Sequence, residues 1–168
     1  SIDIVPEEII LEPVGKNTAS AIALASLRAL DIYKDANLIV LSSDHIIKNE
    51  QQFLEAVECG LDLSFNNKIV TFGVVPDRPE TGYGYIQTEN RIDINNLMGD
   101  KIKKFIEKPD YKKAQEYISE GNYVWNSGIF IFKASIILKE LEQYYSNNLD
   151  IIETSFKKSN RDLDFLRI

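Results

Sequence analysis

Two short segments in the second half of the chain carry polar groups suited to a phosphorylated ligand. Residues 105–109 read FIEKP, so that an acid, Glu107, and a base, Lys108, stand where Pro109 must end a strand. Residues 125–130 read WNSGIF and open an apolar run with an amide, a hydroxyl and a glycine. An ammonium group can bind a phosphate, and carboxylate and amide groups can hydrogen-bond hydroxyls. The pair therefore predicts a site for a phosphorylated sugar.

The neighbouring positions of Glu107 and Lys108 create a geometric problem for such a site. Adjacent strand residues point to opposite faces, so both side chains can reach one ligand only if the strand frays or bends. Pro109 favours this, because it holds the preceding residue extended and cannot continue the ladder. An exposed acid–base pair with no ligand fits the same pattern.

Asp44 follows a continuous apolar run, residues 37–41, that is typical of a buried strand. A carboxylate at the end of such a strand can hold Mg²⁺ and shield phosphate oxygens. The alternative is an aspartate that caps the following segment. His45 is the only histidine, which excludes a histidine-rich transition-metal site, and no nucleophile elbow accompanies a Ser-His-Asp set.

Two loops offer further ligand contacts. Residues 12–18 join a strand to a helix with Thr18 as the predicted N-cap, and a helix start can bind a phosphate or a base. The alternative is a capped, solvated turn. Residues 81–84 read TGYG, and their two glycines let the backbone approach a ligand closely. A flexible loop is the alternative there.

The composition restricts the class of protein. The chain has 168 residues, 44% of them hydrophobic and 27% charged, with a formal net charge of −7. This is a globular composition, and the acidic balance argues against DNA or RNA as partner. A small phosphorylated ligand stays compatible, aided by a divalent metal. No apolar stretch long enough for a membrane helix occurs, and Cys59 is the only cysteine, which fits a cytoplasmic protein.

Helical and strand patterns alternate along the chain without a visible linker, which predicts an α/β fold with a mostly parallel sheet. In such folds ligands lie beyond the carboxyl ends of the strands, where all these polar clusters are expected. Strands are predicted at 7–11, 37–41, 68–75, 83–88, 101–108 and 124–132, and helices at 18–34, 50–65, 111–120, 134–145 and 147–158. Trp125 is predicted to be a core residue.

Taken in order, the motifs resemble those of the nucleotide–sugar pyrophosphorylases, and among them the mannose-1-phosphate guanylyltransferases. The matching segments lie between residues 8 and 135 and read EPxxKNTAxAI from Glu12, SDH at 43–45, TGYGYI at 81–86, FIEKP and WNSGIF. The resemblance implies a three-layer αβα, Rossmann-like nucleotidyltransferase fold with a mixed, mostly parallel sheet.

The resemblance also implies an activity and a set of roles. GTP and mannose 1-phosphate would give GDP-mannose and pyrophosphate with Mg²⁺ as cofactor, in the supply of a polysaccharide. No nucleic acid or membrane partner is implied, and a homo-oligomer is left open. The implied roles are: Asp44, metal binding and catalysis; Glu12, Lys16, Asn17 and Thr18, nucleotide binding; Gly84, Glu107, Lys108 and Asn126, sugar-phosphate binding, with Lys108 also catalytic.

The Gly-rich loop that holds the triphosphate in this family does not occur in the printed sequence. Residues 1–168 are therefore expected to be the central part of a catalytic domain, shortened at both ends and with little or no turnover alone. Two alternatives remain. One is another sugar-1-phosphate nucleotidyltransferase, thymidylyl or uridylyl, and the other is a non-catalytic binding domain of the same fold.

Overall fold

The computed structural model describes residues 6–15, 18–95 and 98–168. The helices in these ranges are α1 (Thr18–Ile32), α2 (Glu50–Phe65), α3 (Tyr111–Glu120) and α4 (Ala134–Lys157). The strands are β1 (Ile9–Leu11), β2 (Asn37–Val40), β3 (Val70–Val74), β4 (Tyr85–Thr88), β5 (Ile102–Ile106), β6 (Tyr123–Lys133), β7 (Asn160–Asp162) and β8 (Phe165–Arg167). The predicted α/β class is confirmed, and α2 and α3 have the predicted bounds.

The chain divides into two compact units, of which the first comprises residues 1–38 and 133–168. In this unit α1 packs along α4, and a three-stranded sheet has the order β1-β8-β7. β1 is parallel to β8, and β7 is antiparallel to β8. Arg28 of α1 donates two hydrogen bonds, of 2.6 and 2.8 Å, to the Glu8 carboxylate. This ion pair ties the segment before β1 to the helix.

The second unit comprises residues 39–132 and contains the sheet that carries the FIEKP and WNSGIF motifs. The sheet has the order β2-β6-β4-β5, and β3 also pairs with β6. β4 is antiparallel to both β5 and β6, and β3 is antiparallel to β6. Among the described residues, four of the five strand pairings whose register is known are antiparallel. The sheets are mixed as predicted, but "mostly parallel" is wrong for these pairings.

The physical reason for this correction is the position of β4. β5, α3 and β6 form a crossover whose two strands point the same way, as their alternating pattern predicted. β4 lies between those strands and runs against both. Periodicity along the chain says nothing about which strand is inserted between two others.

A cluster of aromatic side chains forms the core on one face of this sheet. Tyr85, Tyr123 and Trp125 are buried together with Ala114 of α3. Tyr117 of α3 stacks on Tyr123 with a centroid distance of 4.2 Å. The prediction that Trp125 belongs to the core is confirmed, since only 8% of its surface is exposed. The alternating residues Ile86 and Val124 lie on the opposite face and are also buried, and Asn126 follows Val124 on that face.

The two helices predicted at 134–145 and 147–158 correspond to the two segments of α4, which is kinked at Tyr145 with φ −141° and ψ 27°. The last two strands differ from the prediction. The pair β7 and β8 was not predicted, because β7 is polar and β8 gains its partner β1 from the other end of the chain. In the described ranges, no helix combines the length and apolarity needed to cross a bilayer.

Candidate functional site

Three of the predicted sugar-phosphate residues meet on the face of the sheet opposite the aromatic core. Gly84 precedes β4 and is level with Glu107, which follows β5, and with Asn126, the fourth residue of β6. The Asn126 N–H donates a 2.8 Å hydrogen bond to the Gly84 carbonyl oxygen. The expectation that every cluster sits at a carboxyl strand end is wrong for Gly84 and Asn126. They join Glu107 because β4 is antiparallel and β6 extends past β5.

Gly84 lies between two of the candidate side chains, those of Glu107 and Asn126. A Cβ atom placed on this residue would lie 2.9 Å from Glu107 Oε2 and 3.7 Å from the Asn126 Cβ atom. The missing side chain therefore leaves the Glu107 carboxylate resting over bare backbone. This is the close approach that glycine permits and alanine does not.

The backbone conformation of Lys108 lets its side chain and that of Glu107 lie on the same side of the strand, although not by the predicted extended conformation. Its φ is +43°, in the left-handed region, so the prediction of an extended residue before Pro109 is wrong. The strand bends there, and Lys108 Nζ lies 3.7 Å from Glu107 Oε1. The two side chains are 65% and 73% exposed, so both charges are open to a ligand.

Ser127, Gly128 and Ile129 form a β-bulge in β6 opposite β3, directly after Asn126. The register shifts between Thr71 and Gly73 of β3, where two steps on β3 correspond to four steps on β6. Gly128 supplies the positive φ of +73° within the bulge. Ser127 Oγ donates to the Phe72 carbonyl oxygen at 2.7 Å and accepts from the Ile129 N–H at 3.1 Å. Ser127 is thus occupied in holding the bulge, whereas the sequence offered it as a ligand group.

Sequence reasoning missed Thr71, which contacts both ends of the bulge. Its hydroxyl donates to the Ile129 carbonyl oxygen at 3.0 Å and lies 3.5 Å from Asn126 Oδ1. No pattern around Thr71 marks it, because it lies inside an ordinary apolar strand. The one available signal is a threonine in an otherwise apolar strand, and it gains meaning only when the pairing of β3 with β6 is known.

The loop that ends at Gly84 is held by hydrogen bonds and ring contacts and is not a free hairpin. The Tyr85 hydroxyl donates to the Glu80 carbonyl oxygen at 2.9 Å and accepts from the Glu80 N–H at 3.0 Å. Tyr83 packs edge-on against Trp125 with centroids 5.2 Å apart. The Arg78 guanidinium lies 5.4 Å from the centroid of the same ring. These contacts fix the backbone that leads to Gly84.

Asp44 lies exposed in a turn directly after β2. The following helix, α2, is capped by Asn49, whose side chain accepts from the Gln52 N–H at 3.1 Å, so Asp44 is not that cap. Within the described residues no group of three histidine, cysteine, aspartate or glutamate side chains could hold a metal ion. A metal at Asp44 would therefore take further oxygen ligands from substrates and water, as Mg²⁺ commonly does.

Of the predicted nucleotide-binding residues, Glu12 and Thr18 belong to the first unit. Glu12 is half-buried after β1, and Thr18 is the first residue of α1, one position inside the helix compared with the predicted cap. Lys16 and Asn17 lie outside the described residues. These roles stay predictions, like those of the sugar-phosphate residues.

Comparison with protein families decides the kinship of the chain. The family model described as nucleotidyl transferase matches residues 3–168. The chain belongs to the nucleotidyl transferase family. The predicted kinship and fold are confirmed, and the motifs that carried the resemblance all lie within the matched range.

Curated members of the nucleotidyl transferase family support a narrower likeness. The chain is 42% identical over 165 residues to mannose-1-phosphate guanylyltransferase ManC of Salmonella typhimurium, covering 96% of this chain and 34% of that protein. The chain thus spans about a third of the length of this curated relative.

Two solved structures share this nucleotidyl transferase fold. One is described as mannose-6-phosphate isomerase from Helicobacter pylori, with a TM-score of 0.80 and 37% identity over 95% of this chain and 59% of that one. The other is described as mannose-1-phosphate geranyltransferase from Thermus thermophilus, with a TM-score of 0.75 and 34% identity. It matches 86% of this chain and 41% of its own.

Proposed function

We propose that this chain carries substrate-binding residues of a mannose-1-phosphate guanylyltransferase, which converts GTP and mannose 1-phosphate into GDP-mannose and pyrophosphate. The observation that carries the proposal is the polar face on which Gly84, Glu107 and Asn126 meet, with the Lys108 ammonium beside them. The 42% identity to a guanylyltransferase supports the choice of guanosine and mannose. We place the reaction in the cytoplasm, in the supply of a polysaccharide precursor.

The sugar-phosphate half of the site lies within one unit. Glu107 accepts hydrogen bonds from sugar hydroxyls, and the Asn126 amide donates to one. Gly84 leaves room for the sugar to rest against backbone. Lys108 neutralises the phosphate, which offsets the repulsion expected from a chain with net charge −7.

The nucleotide half is proposed from the resemblance. Glu12, Asn17 and Thr18 contact the base or ribose, with Lys16 nearby. Asp44 supports Mg²⁺ binding, since its carboxylate is exposed and oxygen ligands suit this ion. When bound, Mg²⁺ supplies charge neutralisation for the phosphate oxygens.

The reaction requires positioning and charge control from these residues and no covalent enzyme intermediate. A phosphate oxygen of mannose 1-phosphate bonds to the α-phosphorus of GTP, and the bond from that phosphorus to the bridging oxygen of pyrophosphate breaks. Lys108 holds the attacking phosphate in place, and Glu107 and Asn126 fix the sugar behind it. Orientation of this kind is a major source of rate enhancement.

The direct test is an assay of the protein expressed from its complete reading frame. GTP, dTTP and UTP are each supplied with Mg²⁺ and either mannose 1-phosphate or glucose 1-phosphate, and pyrophosphate release is measured. The proposal expects release with GTP and mannose 1-phosphate above all other pairs. A preference for dTTP or UTP would instead establish a different sugar nucleotidyltransferase.

A binding measurement separates the enzyme from a non-catalytic domain. Isothermal titration of the 168-residue chain with mannose 1-phosphate is expected to show binding, while pyrophosphate release by that chain is expected to be low. Binding without turnover in the protein from the complete reading frame would favour the binding domain. Absence of binding in both proteins would contradict the proposed function.

A further inference from the structure

We infer that Thr71 is a positioning residue for the sugar site, which fixes the bulge in β6 so that the Asn126 amide group faces the ligand as a hydrogen-bond donor. The inference rests on the proposed function, and it adds a residue outside the motifs that suggested that function. Thr71 lies on β3, so it acts through Asn126 and not by touching the sugar.

The orientation of the Asn126 amide follows from its backbone neighbour. The Gly128 N–H donates to Asn126 Oδ1 at 3.2 Å. Rotating the amide by half a turn would set its NH₂ group against that N–H, two donors facing each other. Oδ1 is therefore committed to the bulge, and Nδ2 has no hydrogen-bond partner among the described residues. Nδ2 is the atom left to meet a ligand oxygen.

The hydroxyl of Thr71 keeps this arrangement in register. It donates to the Ile129 carbonyl oxygen at 3.0 Å, on the far side of the bulge, and lies 3.5 Å from Asn126 Oδ1 on the near side. Gly128, with φ +73°, lies between these two points and has no side chain to hold it in place. Without the hydroxyl, the bulge keeps the Ser127 hydrogen bonds, which go to backbone atoms, and the Gly128 N–H bond to Asn126, but it loses the side-chain contact from β3.

The Asn126 Nδ2 donor complements the carboxylate of Glu107, which lies near it across Gly84. An ionised Glu107 only accepts hydrogen bonds, whereas Nδ2 of Asn126 only donates. Two sugar hydroxyls with opposite hydrogen-bond roles are read by this pair, one giving its proton to Glu107 and one offering a lone pair to Asn126. If the bulge changed its conformation, the hydrogen bond to Asn126 would be lost and the one to Glu107 would remain.

The test uses Thr71→Val and Thr71→Ser in the protein from its complete reading frame, with Thr88→Val as matched control. Thr88 is a strand threonine whose hydroxyl lies 2.7 Å from the Asn90 carbonyl oxygen and 3.0 Å from that of Asn122. Thr71→Val is expected to raise the Kd and KM for mannose 1-phosphate about tenfold, the effect of one hydrogen bond, with the KM for GTP unchanged. Thr71→Ser is expected to restore both values.

Amide hydrogen exchange of Gly128 gives a second readout that needs no ligand. Thr71→Val is expected to accelerate this exchange, while Thr88→Val leaves it unchanged. Wild-type mannose 1-phosphate affinity in Thr71→Val, or an equal loss in Thr88→Val, would overturn the inference. If the wild-type protein does not bind mannose 1-phosphate, the proposed function fails, and unchanged Gly128 exchange in Thr71→Val would overturn the positioning role separately.

Discussion

Lys108 shows how a single residue can hold backbone strain at a candidate site. A non-glycine residue with φ +43° is uncommon, and Pro109 after it restricts Lys108 further. Such a conformation costs on the order of 1–3 kcal/mol and persists only where the surroundings hold it. Here it turns the ammonium group toward Glu107, which an extended Lys108 would not do.

Replacement of Lys108 by glycine should separate stability from binding. Lys108→Gly relieves the positive φ and is expected to raise the free energy of unfolding by about 1 kcal/mol, while it weakens mannose 1-phosphate binding at least tenfold. Leu163→Gly is the control, since Leu163 also has a positive φ, +54°, and is 85% exposed in the other unit. Denaturant unfolding and titration calorimetry measure the two effects. Unchanged binding in Lys108→Gly would show that mannose 1-phosphate binding needs neither the ammonium group of Lys108 nor its strained conformation.

Gly84→Ala tests whether the space between Glu107 and Asn126 is needed for mannose 1-phosphate binding. The new Cβ would lie 2.9 Å from Glu107 Oε2, so the carboxylate must move, at little cost because it ends a flexible side chain. Mannose 1-phosphate binding is expected to weaken about tenfold, with a change in stability below about 1 kcal/mol.

Gly82→Ala is the matched control for this substitution, because the nearest atom to its new Cβ would be Glu80 Oε1 at 3.9 Å. Calorimetry should find wild-type affinity in Gly82→Ala. Equal losses in both variants would mean that loop rigidity, and not the position of Glu107, governs binding.

At the scale of the element, the bulge in β6 shows what the WNSGIF motif does locally. Its serine and glycine form the bulge, and its asparagine uses Oδ1 in the bulge and leaves Nδ2 for a ligand. The close pairing of β3 with β6 depends on Gly73, which is opposite Asn126 and whose missing side chain leaves room for Val124. The motif thus contains one candidate ligand, Asn126, and two residues that support it.

Gly73→Ala should damage this pairing. An added Cβ would lie 2.1 Å from Val124 Cγ2 and 2.6 Å from Val124 Cβ, both parts of a buried side chain. A clash with a packed, branched residue is expected to cost about 1–3 kcal/mol of unfolding free energy. Gly15→Ala, where a new Cβ would meet nothing within 4 Å, should leave the unfolding midpoint nearly unchanged. Equal midpoints for the two variants would contradict this packing.

At the scale of the molecule, Glu8 connects three distant parts of the first unit. It accepts hydrogen bonds from Arg28 of α1 and, at 3.2 Å, from Arg161 of β7. The hydrogen bond from Arg28 holds the pKa of Glu8 below its usual range, against the opposing effect of burial. The charge of Glu8 therefore contributes to stability while it stays ionised.

The pH dependence follows from the sign of this shift. The folded-state pKa of Glu8 is below the unfolded one, so its contribution is complete above about pH 4.3 and is lost as pH falls through the folded pKa. Glu8→Gln is expected to have a lower unfolding midpoint than the wild type at pH 7. The difference between the two midpoints is expected to shrink as the pH falls. Glu7→Gln is the control, since exposed Glu7 contacts only the Tyr33 hydroxyl among described partners. A gap that stays constant from about pH 7 to about pH 3 would refute this role of Glu8.

Much of the architecture was predictable because its signals are local. The amphipathic pattern of α2 and the terminal signals of α3, with Asp110 before it and Gly121 after it, lie within a few residues. The break at Tyr145 was likewise predicted, since one helix was expected to end at 145 and the next to begin at 147. The pair β7 and β8 depends on β1, from the other end of the chain, which no local pattern reports.

The sequence by itself determined the family, the α/β class and the identity of the candidate sugar-phosphate residues, because motif order and periodicity are properties of the chain alone. Only the tertiary structure decided how these residues meet. The antiparallel insertion of β4 brings Gly84 level with Glu107 and Asn126, and the left-handed Lys108 turns its charge to the same place. Thr71 became visible only there, since hydrogen bonds between strands join residues that are 55 and 58 positions apart in the sequence.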